Sequence, residues 1–96
     1  MLTRIVKMQF KPENTADFLA HFETIKDKVR NQKGCIDMVL YRDMTHHNIY
    51  FTVSIWKSES DLEHYRTSDF FKEVWYVTKN LFEAKAEAWS IQKFEE

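Results

Sequence analysis

Read for hydrophobic period alone, the chain divides into seven segments. LTRIVKMQF (Leu2 to Phe10) alternates branched and aromatic residues with polar ones, the period of a half-buried strand. Lys11-Pro12 breaks it, and Asn14 or Thr15 then offers a helix N-cap. Phe18, Phe22, Ile25 and Val29, with Leu19 beside them, give an apolar stripe at helical spacing. That helix is expected to end near Asn31 to Lys33, because Gly34 suits a position just past a helix end. CIDMVLYR (Cys35 to Arg42) predicts a second strand, DMTHHN a hairpin connection, and IYFTVSIW (Ile49 to Trp56) a third strand.

The third strand has two unlike faces. Ile49, Phe51, Val53 and Ile55 are uniformly apolar, whereas Tyr50, Thr52, Ser54 and Trp56 mix rings with hydroxyls. Neither face carries a charge, so both are expected to be covered. Ser58 with Asp61, or Ser60 with Glu63, fits a capping box that opens a short helix through Arg66, and Ser68 caps again. Phe70, Val74, Val77 and Leu81, flanked by Phe71, Trp75, Thr78 and Phe82, predict a broad apolar face on the next helix. AKAEAWSIQKF (Ala84 to Phe94) is expected as the last strand, despite alanines that lower its strand propensity.

The order β-α-β-β-α-α-β is that of an α+β, ferredoxin-like sandwich with a four-stranded antiparallel sheet and a split second helix. Residues 1–96 are expected to form one domain, since a chain of 96 residues has no room for a second core. Helices on one side leave the other side of the sheet bare, and a second copy is the expected cover. Composition strengthens this: 16% of residues are aromatic, a large share for so small an interior.

Charge and motifs mainly exclude. A formal net charge of −1 without a basic cluster removes the electrostatic footprint of a nucleic-acid binder. Apolar runs are far shorter than the roughly 20 residues of a membrane helix. Arg4 and Lys7 interrupt any signal-peptide core, and the single Cys35 has no internal partner, so a reduced, cytoplasmic setting is expected. One glycine excludes a Gly-rich phosphate loop. Cys35 follows the turn glycine at a strand start and reads as structural, while Asp37 reads first as a solvent-facing carboxylate. Among the histidines, His21 falls off the apolar stripe of its helix and His46 sits in a connection, so both read as solvated; His47 and His64 remain candidates for a pocket. Tyr41, Tyr50, Trp56, Tyr65, Phe71 and Trp75, with Thr52 and Ser54 nearby, could serve as core or could line a cavity for a flat aromatic ligand.

The element order at this length, KGCIDMVLYRD after the first helix, and above all FTVSIWKSESDLEHYRTSDFFKEV resemble the antibiotic biosynthesis monooxygenase superfamily over nearly the whole chain. That resemblance implies a dimeric α+β barrel, with two sheets facing each other and one pocket per subunit. Several members oxygenate quinols or anthrones with O2 and use no flavin, metal or haem. It therefore implies a cofactor-independent monooxygenase of an aromatic small molecule, with Trp56 as the best-matched pocket residue. On this reading Tyr65 stacks with it, Trp75 and Phe71 stand behind, Thr52 and Tyr50 donate hydrogen bonds, and His64 or His47 is the base. Thr52 stands where the anthrone-oxidising branch has asparagine. A haem-degrading branch is disfavoured, because Trp75 stands where its ligating histidine would be. A branch acting on a phosphorylated sugar would need an anion site, for which Arg4, Arg42 and Arg66 are the available residues. From a different class, the resemblance also allows a non-catalytic dimeric small-molecule-binding or stress-response protein.

Overall fold

A computed structural model describes residues 1–95; Glu96, the last residue of the expected domain, lies outside them. The elements follow the expected order: β1 (Leu2–Gln9), α1 (Thr15–Arg30), β2 (Cys35–Arg42), β3 (Ile49–Trp56), α2 (Glu59–Arg66), α3 (Asp69–Lys79) and β4 (Glu87–Ile91). A single 3-10 turn, Pro12–Asn14, precedes α1. The four strands form one sheet in the order β2-β3-β1-β4, and every neighbouring pair is antiparallel. This is the ferredoxin-like arrangement, and the helices lie over one face.

Local chemistry explains most boundaries. Ser58 caps α2 by accepting from the Asp61 amide at 3.1 Å, and Ser68 caps α3 by accepting from the Phe71 amide at 3.1 Å. Asn14 is the N-cap of α1, but its side chain is used elsewhere, donating to the Leu81 carbonyl at 3.3 Å. The Asp43 carboxylate closes the β2–β3 connection by accepting from the amides of His46 at 2.7 Å and Thr45 at 3.0 Å. These two bonds, the His46 amide first, hold its carboxyl below the usual aspartate value. The last strand is shorter than its sequence suggests, Glu87–Ile91 rather than 84–94.

Two helical faces differ from their expected membership. Leu19 is exposed, and the buried stripe of α1 runs through Phe18, Phe22 and Val29. Phe70, Leu81 and Phe82 pack against the core as expected, but Val77 is exposed beside Tyr76, and α3 turns Phe71, Val74, Trp75 and Thr78 toward the cavity. That set follows the i, i+3, i+4, i+7 spacing of one face, and the helix stops at Lys79 before Leu81 can extend the other.

The sheet's two faces are set by alternation and by one bulge. Leu2, Met8, Met38, Tyr50, Ser54 and Trp56 are buried beneath the helices. Between Cys35 and Asp37 the register with β3 shifts, so Cys35 opposite Trp56 and Met38 opposite Ser54 both face the helices. Asp37, opposite Ile55, points to the other side and is exposed. That open side carries Ile5, Val39, Phe51, Val53, Ile55 and Trp89, crossed by a Lys7–Glu87 ion pair at 3.6 Å. It is an apolar surface that no helix covers among the described residues.

Gly34 does a specific job where α1 returns to β2. Its φ is +82°, its carbonyl accepts from the Lys57 amide at 2.8 Å, and a Cβ there would overlap the Asp61 side chain. Gly34→Ala is therefore expected to cost about 1–3 kcal/mol, read as a lower urea midpoint with unchanged slope.

Candidate functional site

Between the helix-facing side of the sheet and the three helices lies a cavity of ≈ 280 Å³. It exists because small residues occupy positions where larger ones would close it. Thr52 and Ser54 lie beneath it on β3, and Ala88, with Ala86 just before the strand, borders it at the β4 edge.

Its aromatic wall is a chain of ring contacts. Trp56 stacks on Tyr65 with centroids 5.2 Å apart, and Tyr65 meets Phe71 edge-on at 5.1 Å. Phe71 then stacks on Trp75 at 5.9 Å with only 10° between planes. Trp56 is 1% exposed, and its indole N–H donates to Ser54 Oγ at 2.9 Å, so it closes the wall and keeps its donor for the protein. Tyr65, Phe71 and Trp75 are half-buried, with part of their surface open.

The polar part is smaller. His21 on α1 lies 3.2 Å from Thr78 Oγ1 through Nε2. Thr78 donates its own hydroxyl proton to the Val74 carbonyl at 2.7 Å, so the hydroxyl can only accept from His21. This assigns the proton to Nε2 and leaves the lone pair on Nδ1. Arg4 and Arg66 also border the cavity.

Of the residues picked out in the sequence, Trp56, Tyr65, Phe71, Trp75 and Thr52 meet around this space. Tyr50 does not. It is 4% exposed and packs against Phe10 at 6.0 Å and Phe18 at 5.4 Å, inside the core at the other end of β3. His47 and His64 are both exposed and neither borders the cavity. On α2 the inward residues are Leu62, Tyr65 and Arg66, and His64, two residues from Leu62, falls on the opposite side. His47 stays in the β2–β3 connection, beyond Tyr50.

The histidine that does reach the cavity is His21, contrary to the solvated position expected for it. A signal for it exists: it lies three residues after Phe18 and four before Ile25, on the same helical face. Thr78 gives a weaker one, as a hydroxyl among apolar positions of α3. Cys35 is half-buried, its thiol donating to the Asp37 carbonyl at 3.6 Å. Burial first, and then the Asp37 charge, raise its pKa, which keeps it a thiol and suits the structural role expected of it.

With this geometry in place, comparison with known proteins agrees with the architecture. The antibiotic biosynthesis monooxygenase family model matches residues 1–74, and the chain belongs to that family. A crystal structure of an antibiotic biosynthesis monooxygenase superposes with a TM-score of 0.91 at 16% identity, covering 99% of this chain and 100% of the other. A conserved protein from Methanosarcina mazei Go1 gives 0.89 at 26% identity, over 97% and 93% of the two chains. In sequence, the uncharacterized protein sll1783 of Synechocystis sp. is 25% identical over 80 residues, 83% of this chain. The chain spans about half the length of that relative, since the match covers 54% of it. Among the described residues no helix is long and apolar enough to cross a membrane.

Two outcomes test the wall. Ser54→Ala leaves a buried indole N–H without its acceptor and is expected to cost about 1–3 kcal/mol in urea unfolding. Burial, and then the neighbouring Cys35, push the Tyr65 phenol well above its ordinary value of 10.0. Above that pH the unfolded chain releases this proton while the folded chain keeps it, so stability falls as pH rises. Tyr65→Phe removes that contribution, and urea midpoints taken on either side of pH 10.0 should show a shallower alkaline decline than wild type.

Proposed function

We propose that the cavity binds a small hydroxylated aromatic compound and that the protein oxygenates it with O2, without a bound cofactor. The observation that carries this reading is the meeting, in one cavity, of three partly open rings with the His21–Thr78 pair. Rings hold a flat substrate by stacking, and the imidazole, oriented by Thr78, takes the phenolic proton. At ≈ 280 Å³ the cavity lies near the lower end of the ~300–1,000 Å³ usual for ligand sites, which favours a one- or two-ring quinol over a three-ring anthrone.

Deprotonation makes the substrate electron-rich enough to pass one electron to O2. The resulting substrate radical and superoxide combine at a C–H carbon ortho or para to the anionic oxygen, forming a peroxide. Loss of water from that peroxide leaves a carbonyl: one oxygen atom stays on the ring and the other departs as water. The protein's part is to orient the ring, hold the proton and keep bulk water away from the anion. His21 replaces His47 and His64 as the base in this scheme, because it alone of the three borders the cavity. Thr52, facing the same space, is the second hydrogen-bonding group.

The active unit in this proposal is a homodimer. The apolar side of the sheet, with Val39, Tyr41, Trp89 and Ile91 all more than a third exposed in the isolated chain, is the surface that a second copy would cover. Light scattering should then give twice the 11.7 kDa chain mass, and Val53→Lys, at the middle of that face, should give the single mass.

Oxygen uptake with 1,4-naphthalenediol, corrected for autoxidation and without added metal or flavin, tests the chemistry. His21→Ala should lower kcat by about 100-fold or more while leaving KM within a few-fold, the range for loss of a general base. No uptake across a panel of one- and two-ring quinols would refute catalysis. A second reading, a non-catalytic binding protein, is favoured by the exposure of His47 and His64. It predicts ligand-dependent quenching of tryptophan fluorescence with no oxygen uptake.

A further inference from the structure

The cavity carries an unbalanced charge that the oxygenation scheme does not use. Arg4 on β1 and Arg66 at the end of α2 both border it, and among the described residues no carboxylate does. Arg4 is half-buried, and its Nη1 donates to the neutral Ser90 Oγ on β4 at 3.0 Å. Among the described residues it makes no ion pair. Arg66 is exposed and pairs with Glu63 at 3.3 Å, a contact within one helix and open to water, hence weak. An adjoining recess shares Leu62 and Arg66 with the cavity and is bordered by Glu59, Glu63, Ser60 and Ser90. The acidic residues thus stand outside the cavity and the guanidinium groups along its edge.

Electrostatics at Arg4 agree with that layout. Burial, then repulsion from Arg66, lower its pKa, and the attraction of Glu63 is the smaller opposing effect. A guanidinium held partly out of water, with a hydroxyl for a partner and a like charge nearby, is a ready receptor for an anion. Planar, bidentate recognition suits a carboxylate.

We propose that Arg4 and Arg66 form an anion subsite at the mouth of the cavity and bind a carboxylate borne by the aromatic ligand. This deepens the reading above and rests on it: the ligand class becomes a one- or two-ring hydroxylated aromatic carboxylate. The rings hold its body, and the arginines fix which edge faces His21. Glu63 is the internal competitor that the ligand's carboxylate displaces from Arg66.

Binding of 1-hydroxy-2-naphthoate and 1-naphthol, which differ by the carboxylate alone, is the test. With fluorescence or calorimetry at low salt, the naphthoate should bind about tenfold more tightly or better, and the lead should narrow as salt is added. Arg4→Gln and Arg66→Gln should each reduce that lead to about threefold or less. Glu63→Gln, at an exposed position, should widen it, and this variant keeps the test decisive if Arg4→Gln does not fold. Equal binding of the two probes, or a lead that survives both glutamine variants and ignores Glu63→Gln, overturns the anion subsite and leaves the aromatic site standing. If neither probe binds, the aromatic-ligand reading fails, and the subsite fails with it.

Discussion

A continuous run of ring-to-ring contacts ties the helix layer to the sheet, and the rest of the molecule is arranged around it. It starts at Trp56 on β3, passes through Tyr65, Phe71 and Trp75, and reaches Phe82 at 5.5 Å. Phe82 lies 5.4 Å from Phe10, and Phe10 stacks on Phe18 at 4.1 Å, which brings in α1. Every helix, the central strand β3 and Phe10, just past the end of β1, therefore contribute to one aromatic frame. Rings are rigid and large, so a few of them span the gap between layers without filling all of it. The cavity is the part left unfilled, where Thr52, Ser54, Ala86 and Ala88 supply too little volume.

That origin explains the mixed character of the site. Trp56 is as much a core residue as a pocket residue: its donor is spent on Ser54 and one face is spent on Tyr65. Tyr65, Phe71 and Trp75 belong to the same frame but keep open surface. The choice between core and cavity lining, posed by the aromatic residues of the sequence, is thus answered differently for neighbouring members of one set. Polar groups reach the space from five elements: His21 from α1, Thr78 from α3, Arg66 from α2, Arg4 from β1, and Thr52 and Ser54 from β3. No short motif could announce such a site, because its members come together only when the helices dock.

The same docking decided which histidine faces inward. His64 lies one residue before Tyr65, in the segment that carries the family resemblance, yet a helix turns neighbouring residues about 100° apart and so sends it to solvent. His21 belongs to a helix with an obvious apolar stripe, and its place at the stripe's margin made it look solvated. Only the approach of α3, bringing Thr78 within 3.2 Å, gives that margin a polar partner. Arg4 and Arg66 are 62 residues apart in the chain, whereas Arg42, a third basic candidate, is exposed on β2 and away from the cavity.

By itself the sequence determined what depends on local period and local bonding. The alternation of β1 and β3, the serine caps at 58 and 68, the glycine turn at 34 and the element order were all legible, because strand pleat, helix capping and positive φ act over a few residues. It also marked the open side of β3 as apolar, since a strand's two faces can be read directly from alternate positions. Tertiary structure alone decided where the helix layer stops short of the sheet, and with it which rings keep free surface. It decided too that His21 rather than His64 meets the cavity, and that two distant arginines share its edge. The physical reason is one of range. Backbone propensity and capping are settled within a turn or two of chain, but a cavity is what remains after distant surfaces have packed, and no local pattern encodes that remainder.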